Sequence, residues 1–329
     1  MTKVFVTGGT GFIGSHLVDE LIKKNYTVKC LVRKTSNIKW LKDKPVEFIN
    51  GDLWSEEVLG NALKDVDYIY HVGGVTFAKK KEEYFKGNAD ATKSLLDICY
   101  KVNPNLTKFI LLSSQTVSGP SPDATHPVNE DSPCCPITTY GRSKLKGEEY
   151  TKEYFDKMNI TVVRAPAVYG PRDYAIFEYF KAMSKGLQAL IGFGEKRVSL
   201  IHVNDLVDGM ILAGESDKSK SNTYFISSEN FYTWKEIGAI TSRIMSKRTI
   251  TLRIPHGAVH LIGAFAQLFG SFSSKPTILN LEKCKDLTRK YWICSIEKAK
   301  RELGFKEKMS IEEGIKNTVD WYRKNKWIK

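Results

Sequence analysis

The sequence predicts an α/β protein: a doubly wound parallel sheet followed by a smaller, mostly helical C-terminal region. Three observations carry this. Short apolar runs alternate with amphipathic stretches through the first half of the 329 residues, the pattern left by a parallel sheet covered with helices. A glycine-rich turn joins the first apolar run to the first helical stretch. After Gly170 the alternation becomes less regular and helical patterns dominate.

Taken in order, the predicted strands are Lys3–Val6, Thr27–Val32, Val46–Ile49, Tyr68–Val72, Lys108–Leu112 and Thr161–Arg164. Between them lie helical stretches around Ser15–Lys24, Glu56–Leu63, Asn88–Tyr100 and Tyr140–Lys157. The first places Leu17, Val18, Leu21 and Ile22 on its inner face. Ser118–Thr139 carries Pro120, Pro122, Pro127, Pro133 and Pro136, which exclude regular structure. A loop this long inside a compact domain is expected to serve as an active-site wall. Asp173–Lys185 reads as a helix, Ile201–Gly209 leads into another, and Asn222–Ile226 reads as one further strand. Ser310 and Glu313 form a capping box for a last helix, with Ile311, Ile315, Val319 and Tyr322 at helical spacing. Residues 1–170, rejoined by 200–227, form the expected nucleotide-binding domain. Residues 171–199 and 228–329 are left for a substrate-binding region.

Hydrophobic content of 42% and charged content of 26% are ordinary for a globular protein. A net charge of +13 suits anionic ligands or an acidic membrane surface. The lysines are scattered and no arginine-rich tract appears, so nucleic acid is not the expected partner. The cysteines Cys30, Cys99, Cys134, Cys135, Cys284 and Cys294 contain no C-x-x-C pair. The chain enters a strand at once, leaving no room for a signal peptide, and a reducing cytoplasmic setting is expected.

In the glycine turn, Gly9, Gly11 and Gly14 fit G-x-G-x-x-G, while Gly8, Gly11 and Gly14 fit G-x-x-G-x-x-G. Such a turn between strand and helix lets bare backbone approach a diphosphate at a helix N-terminus. A Rossmann-type dinucleotide site follows, rather than a turn that binds nothing.

Ser114, Tyr140 and Lys144 are the next informative set. Tyr140 and Lys144 stand four residues apart, on one helix face. A free tyrosine has a pKa of about 10, so acid–base work at neutral pH needs a shift of roughly three units, or about 4 kcal/mol. An ammonium about 4 Å away at an effective dielectric near 20 supplies on the order of 4 kcal/mol. Lys144 could therefore make Tyr140 a usable acid–base. With 15 tyrosines in a lysine-rich chain the spacing also arises by accident, as at Tyr322 and Lys326. Tyr322 is expected on a solvated amphipathic helix. Tyr140 instead follows a strand ending in Ser113-Ser114.

With these residues in hand, the chain resembles the extended short-chain dehydrogenase/reductase family. That family includes nucleotide-sugar epimerases and dehydratases, 3β-hydroxysteroid dehydrogenases and dihydroflavonol reductases. The likeness also covers Gly51-Asp52-Leu53, Asn88 to Thr92, Ser113 to Val117, Arg164 to Pro171, Ile201 to Asp205, and Glu302 to Phe305. It implies that Tyr140 is the acid–base, that Lys144 lowers its pKa and holds the nicotinamide ribose, and that Ser114 bonds the reacting oxygen. It places Asn88 near the site, Asp52 and Leu53 beside the adenine, and Pro166 and Val168 on the nicotinamide. Gly8, Gly11, Phe12, Ile13 and Gly14 would hold the diphosphate. Gln115, Tyr169 and Arg197 are the expected substrate contacts.

Where NAD-using members carry an acid for the ribose hydroxyls, this chain has Val32 followed by Arg33 and Lys34. A guanidinium there would pair with a 2′-phosphate. NADP is therefore the expected cofactor, bound through Arg33, with NAD admissible. The expected activity is hydride transfer at a secondary alcohol or ketone, with a small molecule as substrate. The alternative is a nucleotide-sugar epimerase or dehydratase using the same residues, and a lesser one is a non-catalytic nucleotide sensor. Arg197 stands one position early for the arginine that sugar-nucleotide members carry before Ile201-His202-Val203. His256 and His260 lack further ligands, so no metal is expected. Cys134-Cys135 lacks a base and is not expected to be a nucleophile. The apolar stretch 257–270 is too short to span a bilayer. A core helix, a lid over a greasy substrate and a membrane-surface contact remain open for it, as does a homodimer.

Overall fold

The computed structural model describes residues 1–271 and 280–329, the side chains of 268–271 excepted; the last three positions of the apolar stretch fall among these. Its strands are β1 (Lys3–Thr7), β2 (Thr27–Val32), β3 (Val46–Asn50), β4 (Tyr68–His71), β5 (Lys108–Ser114), β6 (Ile160–Ala165), β7 (Ala167–Tyr169), β8 (Leu187–Ile191), β9 (Arg197–His202), β10 (Asn222–Phe225), β11 (Phe231–Thr233), β12 (Ile250–Ile254) and β13 (Tyr291–Trp292). The helices are α1 (Phe12–Lys23), α2 (Glu56–Leu63), α3 (Lys81–Phe85), α4 (Ala91–Val102), α5 (Thr139–Lys152), α6 (Phe177–Ser184), α7 (Val203–Glu215), α8 (Trp234–Met245), α9 (His256–Ser271), α10 (Leu281–Thr288), α11 (Glu297–Leu303) and α12 (Ile311–Lys324).

Seven strands form one parallel sheet in the order β10-β6-β5-β4-β1-β2-β3. Chain direction across the sheet reverses between β1 and β4, and a crevice opens there beyond the strands' carboxyl ends. Val4, Phe5 and Val6 are all inaccessible to solvent, as expected of a strand covered by helices on both faces. One apolar layer packs Leu17, Val18 and Leu21 of α1 with Leu206 and Met210 of α7. The opposite layer joins Phe5 to Leu59 and Leu63 of α2 and to Leu95 and Cys99 of α4.

The second half builds two smaller sheets, β11-β9-β13 with β7 also on β9, and β12-β8. A third apolar cluster joins Phe180, Ile237, Ile315, Val319 and Tyr322. The predicted cap of α12 is present: Ser310 Oγ accepts from Glu313 N, and Glu313 returns a bond to Ser310 N. Tyr322, however, is completely buried, and its hydroxyl donates to Asp173 O at 3.1 Å. The expectation of a solvated tyrosine is corrected, because α12 turns this face into the third core.

The proline-bearing segment 118–139 runs without a strand, as predicted, and is tied to the C-terminal region. Ser121 N donates to Tyr291 O, and Val128 bridges Cys294. Two predicted helices are shorter than expected: α5 ends at Lys152, and α6 begins only at Phe177. The stretch read as a helix from Asn88 opens with a wide, π-type turn over Lys86–Asp90.

Candidate active site

The crevice between β1 and β4 is a cleft of about 860 Å³. The glycine turn, Arg33, Asp52, Leu53, Gly73 to Phe77, Tyr84, Tyr140 and the segment Asp173–Ala175 wall it, with Asn280, Glu282, Lys283 and Asp286 on the far side.

Gly8, Gly11 and Gly14 work as a set. Gly8 has φ +72°, and a Cβ there would come within 2.6 Å of Gly73 N. Gly11 N donates to Gly8 O at 2.9 Å, and a Cβ on Gly14 would be driven into the same carbonyl. Gly11 caps α1 with no side-chain bond, and the first turn of α1 holds no acid. The N–H groups of that turn face the cleft wall formed by Gly11, Phe12 and Ile13, so a dinucleotide's diphosphate fits here. Of the two spacings in the sequence, the one that begins at Gly8 is the one that shapes the turn. Asp52 Oδ1 accepts from Trp54 N (2.9 Å) and Ser55 Oγ (3.0 Å), which fixes the loop after β3 along the cleft.

On the opposite side, Thr138 caps α5 by accepting from Gly141 N (3.1 Å) and so aims the first turn at the cleft. Tyr140 lies on the cleft wall. Burial pushes its phenol up to about 12; a hydrogen bond from Ser114 pulls it down, while Asp286 and Tyr84 add to the rise. Lys144, one turn on, donates its Nζ to Leu112 O at 2.7 Å. Burial lowers its pKa to about 8, against a smaller rise from Glu148. In the free protein, with Lys144 in place, desolvation wins and the phenol stays above its ordinary value.

Beneath these residues lies a buried ion pair. Arg164 donates to Glu148 through Nε (3.0 Å) and Nη2 (2.7 Å), with side chains 2% and 0% exposed. Ser113 Oγ also donates to Glu148. The pair thus ties the strand carrying Ser114 to the helix carrying Tyr140 and Lys144. Behind the glycine turn, His71 bridges Thr7 Oγ1 (2.6 Å) and Thr92 Oγ1 (3.0 Å), and burial drives its pKa down to about 3.

Of the other predicted residues, Asn88 stands beside the cleft and the rest are not in its lining. Asn88 spends its amide on structure: Oδ1 accepts from Val75 N (2.7 Å), and Nδ2 donates to Val75 O and Ser143 Oγ (2.9 Å each). Gln115 is buried outside the cleft lining, with no partner for its Nε2 among the described residues. Tyr169 is 4% exposed in the third core, edge-on to His202. Arg197 is exposed and paired with Glu195 at 2.8 Å, away from the cleft. Pro166 and Val168 follow β6 but do not line the cleft. The cleft residues that sequence reasoning missed, Tyr84, Thr138, Asp173–Ala175 and Asn280–Asp286, sit on loops and short helices with no spacing signal.

The profile of the NAD dependent epimerase/dehydratase family matches residues 4–227. The chain belongs to that family. As a member it is an NAD-binding enzyme of the oxidoreductase and epimerase/dehydratase type on a Rossmann fold. It is 26% identical to a ceramide reductase of Caulobacter vibrioides, over 99% of this chain and 96% of that one. It is 27% identical to a decarboxylating sterol-4-alpha-carboxylate 3-dehydrogenase of Dictyostelium discoideum, over 96% and 99% of the two chains. Among solved structures it is similar to UDP-glucuronic acid 4-epimerase from Bacillus cereus, in complex with UDP-glucuronic acid and NAD. The TM-score there is 0.79 at 25% identity, over 98% of this chain and 100% of that one.

The expected NADP preference is overturned by these comparisons. The Bacillus cereus enzyme holds NAD, as do further solved members of the fold at 22 to 24% identity. The structure supplies a reason why the basic Val32-Arg33-Lys34 misled. A 2′-phosphate clamp needs a guanidinium held in place, whereas the exposed Arg33 is bonded, among the described residues, through its backbone, N to Ser36 Oγ (3.0 Å) and O from Ser36 N (2.8 Å).

Proposed function

We propose that this protein uses NAD to oxidise a secondary alcohol, or NADH to reduce the matching ketone, with Tyr140 exchanging the proton. The observation that carries the reading is Tyr140 itself, on the cleft wall opposite the glycine turn, with Ser114 bonded to its phenol and Lys144 one turn below. Bound along the glycine turn, NAD supplies the hydride acceptor. Ser114 holds the substrate oxygen, and Tyr140 takes the hydroxyl proton or returns it. Lys144, held on Leu112 O, keeps a cation near the phenol.

Within this chemistry, the nucleotide-sugar epimerase/dehydratase reading has better structural support than a stand-alone alcohol or ketone dehydrogenase. It rests on the likeness to the UDP-glucuronic acid 4-epimerase across nearly the whole chain. One observation favours a second reading, a bulky apolar alcohol. Arg197, the nearest residue in sequence to a diphosphate-binding arginine, is turned out to Glu195, and the curated relatives include ceramide and sterol enzymes.

A ligand that binds only the folded protein raises its melting temperature. With NAD present, the nucleotide-sugar reading predicts stabilisation by UDP, dTDP or GDP and none by apolar ketones. The reverse pattern promotes the second reading. Stabilisation by neither, together with no nicotinamide reduction by any alcohol, contradicts both.

A further inference from the structure

The two-stranded sheet β8-β12 wears its apolar face outward. Its register pairs Leu187 with Ile250, Ala189 with Leu252 and Ile191 with Ile254, which sets those six side chains on one face. Ile250 is 74% exposed and Leu252 52%. On β8 the opposite face is buried, at Leu190 and at Gln188, whose amide donates to Trp234 O at 2.9 Å, whereas β12 is exposed from Ile250 to Arg253. The apolar surface continues beyond the carboxyl end of both strands. Phe193, 71% exposed, follows β8, and Gly192 beside it abuts the His256 ring where α9 begins. Along α9, Val259 and Gly263 are buried, and Val259 O accepts from Cys284 of α10. Leu261, Ile262 and Phe265 are left outside at 49 to 63% exposure. Exposed apolar surface this extensive marks an interaction site.

Charge decides among occupants. Neither Tyr179–Gly194 nor Ile237–Gln267, the two segments that build this surface, contains an aspartate or glutamate. Both carry cations, and Lys185, Lys247, Arg248 and Arg253 have no carboxylate partner among the described residues. A second copy would bring the same cations and another net charge of +13 against them. An anionic bilayer surface offers both an apolar layer and opposite charge. No helix among the described residues is long and apolar enough to cross a membrane, which leaves contact at the interface.

We propose that the β8-β12 face and the outer flank of α9 dock this enzyme on an anionic membrane surface. The inner side of α9 packs on α10, whose Glu282, Lys283 and Asp286 line the cleft. Docking therefore sets the outer wall of the active site beside the lipid.

The test is co-sedimentation of the full chain with vesicles of phosphatidylcholine alone or mixed with phosphatidylglycerol. Binding to the mixed vesicles is expected, weakening with salt, with little binding to the neutral ones. The double variant Leu252→Asp/Phe265→Asp should lose at least tenfold in binding while keeping its melting temperature and the rise caused by NAD. Should that variant not fold, Lys247→Glu/Arg248→Glu, which leaves the apolar face intact, should weaken binding to the anionic vesicles and remove its salt dependence. Failure of wild type to bind anionic vesicles overturns the proposal, as does equal binding by wild type and the variants. A wild-type dimer in solution that Leu252→Asp/Phe265→Asp dissociates would assign the face to a second copy instead.

Discussion

Tyr140 is a phenol held in a site that raises its pKa, and the size of the rise sets what else the site must supply. Bringing it from about 12 to neutrality takes five units, or roughly 7 kcal/mol. That value holds with Lys144 in place, and the lysine is not among the groups that move it, so the lysine alone does not bring the phenol to neutrality. The positive charge of oxidised nicotinamide is the remaining source. Ultraviolet titration of wild type against Tyr140→Phe should therefore find this phenol titrating far above pH 10 in the free protein. Oxidised NAD should lower it measurably. An unchanged value with NAD bound would refute the electrostatic account. Tyr322→Phe tests the other tyrosine of the repeated spacing. It should leave turnover intact but lose the bond to Asp173 O, costing about 1 kcal/mol in urea denaturation. At this scale the sequence was readable where a residue's neighbours in the chain are also its neighbours in space, as for Tyr140 and Lys144. It misled where a side chain's direction depends on distant packing. Arg197 turns to Glu195, just before its own strand, and Tyr169 goes into the third core, while Asn88 stays beside the cleft, bracing Val75 to Ser143.

The glycine turn and α1 form one element, and its glycines are unequal. Gly14→Ala would force a methyl group into the Gly8 carbonyl, whereas Gly11→Ala approaches the same oxygen only to 3.2 Å. Gly14→Ala should cost on the order of 2–3 kcal/mol and abolish NAD binding in a titration. Gly11→Ala should be closer to neutral in stability. Equal stability costs would mean that the turn is not closed around Gly8 O. Elements with a strong local signal were legible: β1 through its unbroken apolar run, and α12 through its capping box. The strands β8 and β12 were not. Their outer residues are apolar and their inner ones partly polar, so the alternation that marks a half-buried strand carries no usable sense there. The apolar stretch 257–270 does form a helix, and over the described side chains, to Gln267, it is covered on its α10 side and open on the other.

Three imidazoles spread over the molecule are kept neutral by burial: His71 near 3, and His16 and His202 near 4. Each accepts a proton only in the unfolded chain across the window from about pH 6.5 down to those values. The stability each contributes is thus complete above pH 6.5 and is lost as the pH falls, by up to about 1.4 kcal/mol per unit. Asp173, raised by burial to about 6, takes up its proton in the folded state first and offsets part of that loss. His16→Asn removes one such group outside the third core, where its Nε2 meets Pro171 O at 2.9 Å. Its unfolding free energy should fall less steeply than wild type's between pH 6.5 and 4.5, by roughly 1 kcal/mol per unit. Parallel curves would show that His16 titrates normally. For the whole molecule, the doubly wound sheet was legible because alternation along the chain maps directly onto layers. The cofactor's identity was not, since it depends on whether Arg33 is held in place.

The central claim is that Tyr140 moves the proton in an NAD-dependent oxidation. It is tested most directly in a single turnover, mixing NAD-loaded protein with the alcohol form of the ligand class favoured by thermal shift, a nucleotide sugar or the secondary alcohol that matches the stabilising ketone, and following the near-ultraviolet absorbance of reduced nicotinamide. Wild type should show a reduction phase, and Tyr140→Phe should show none, or one slower by at least a thousandfold, with NAD affinity unchanged. Reduction at a comparable rate in the phenylalanine variant would contradict the account.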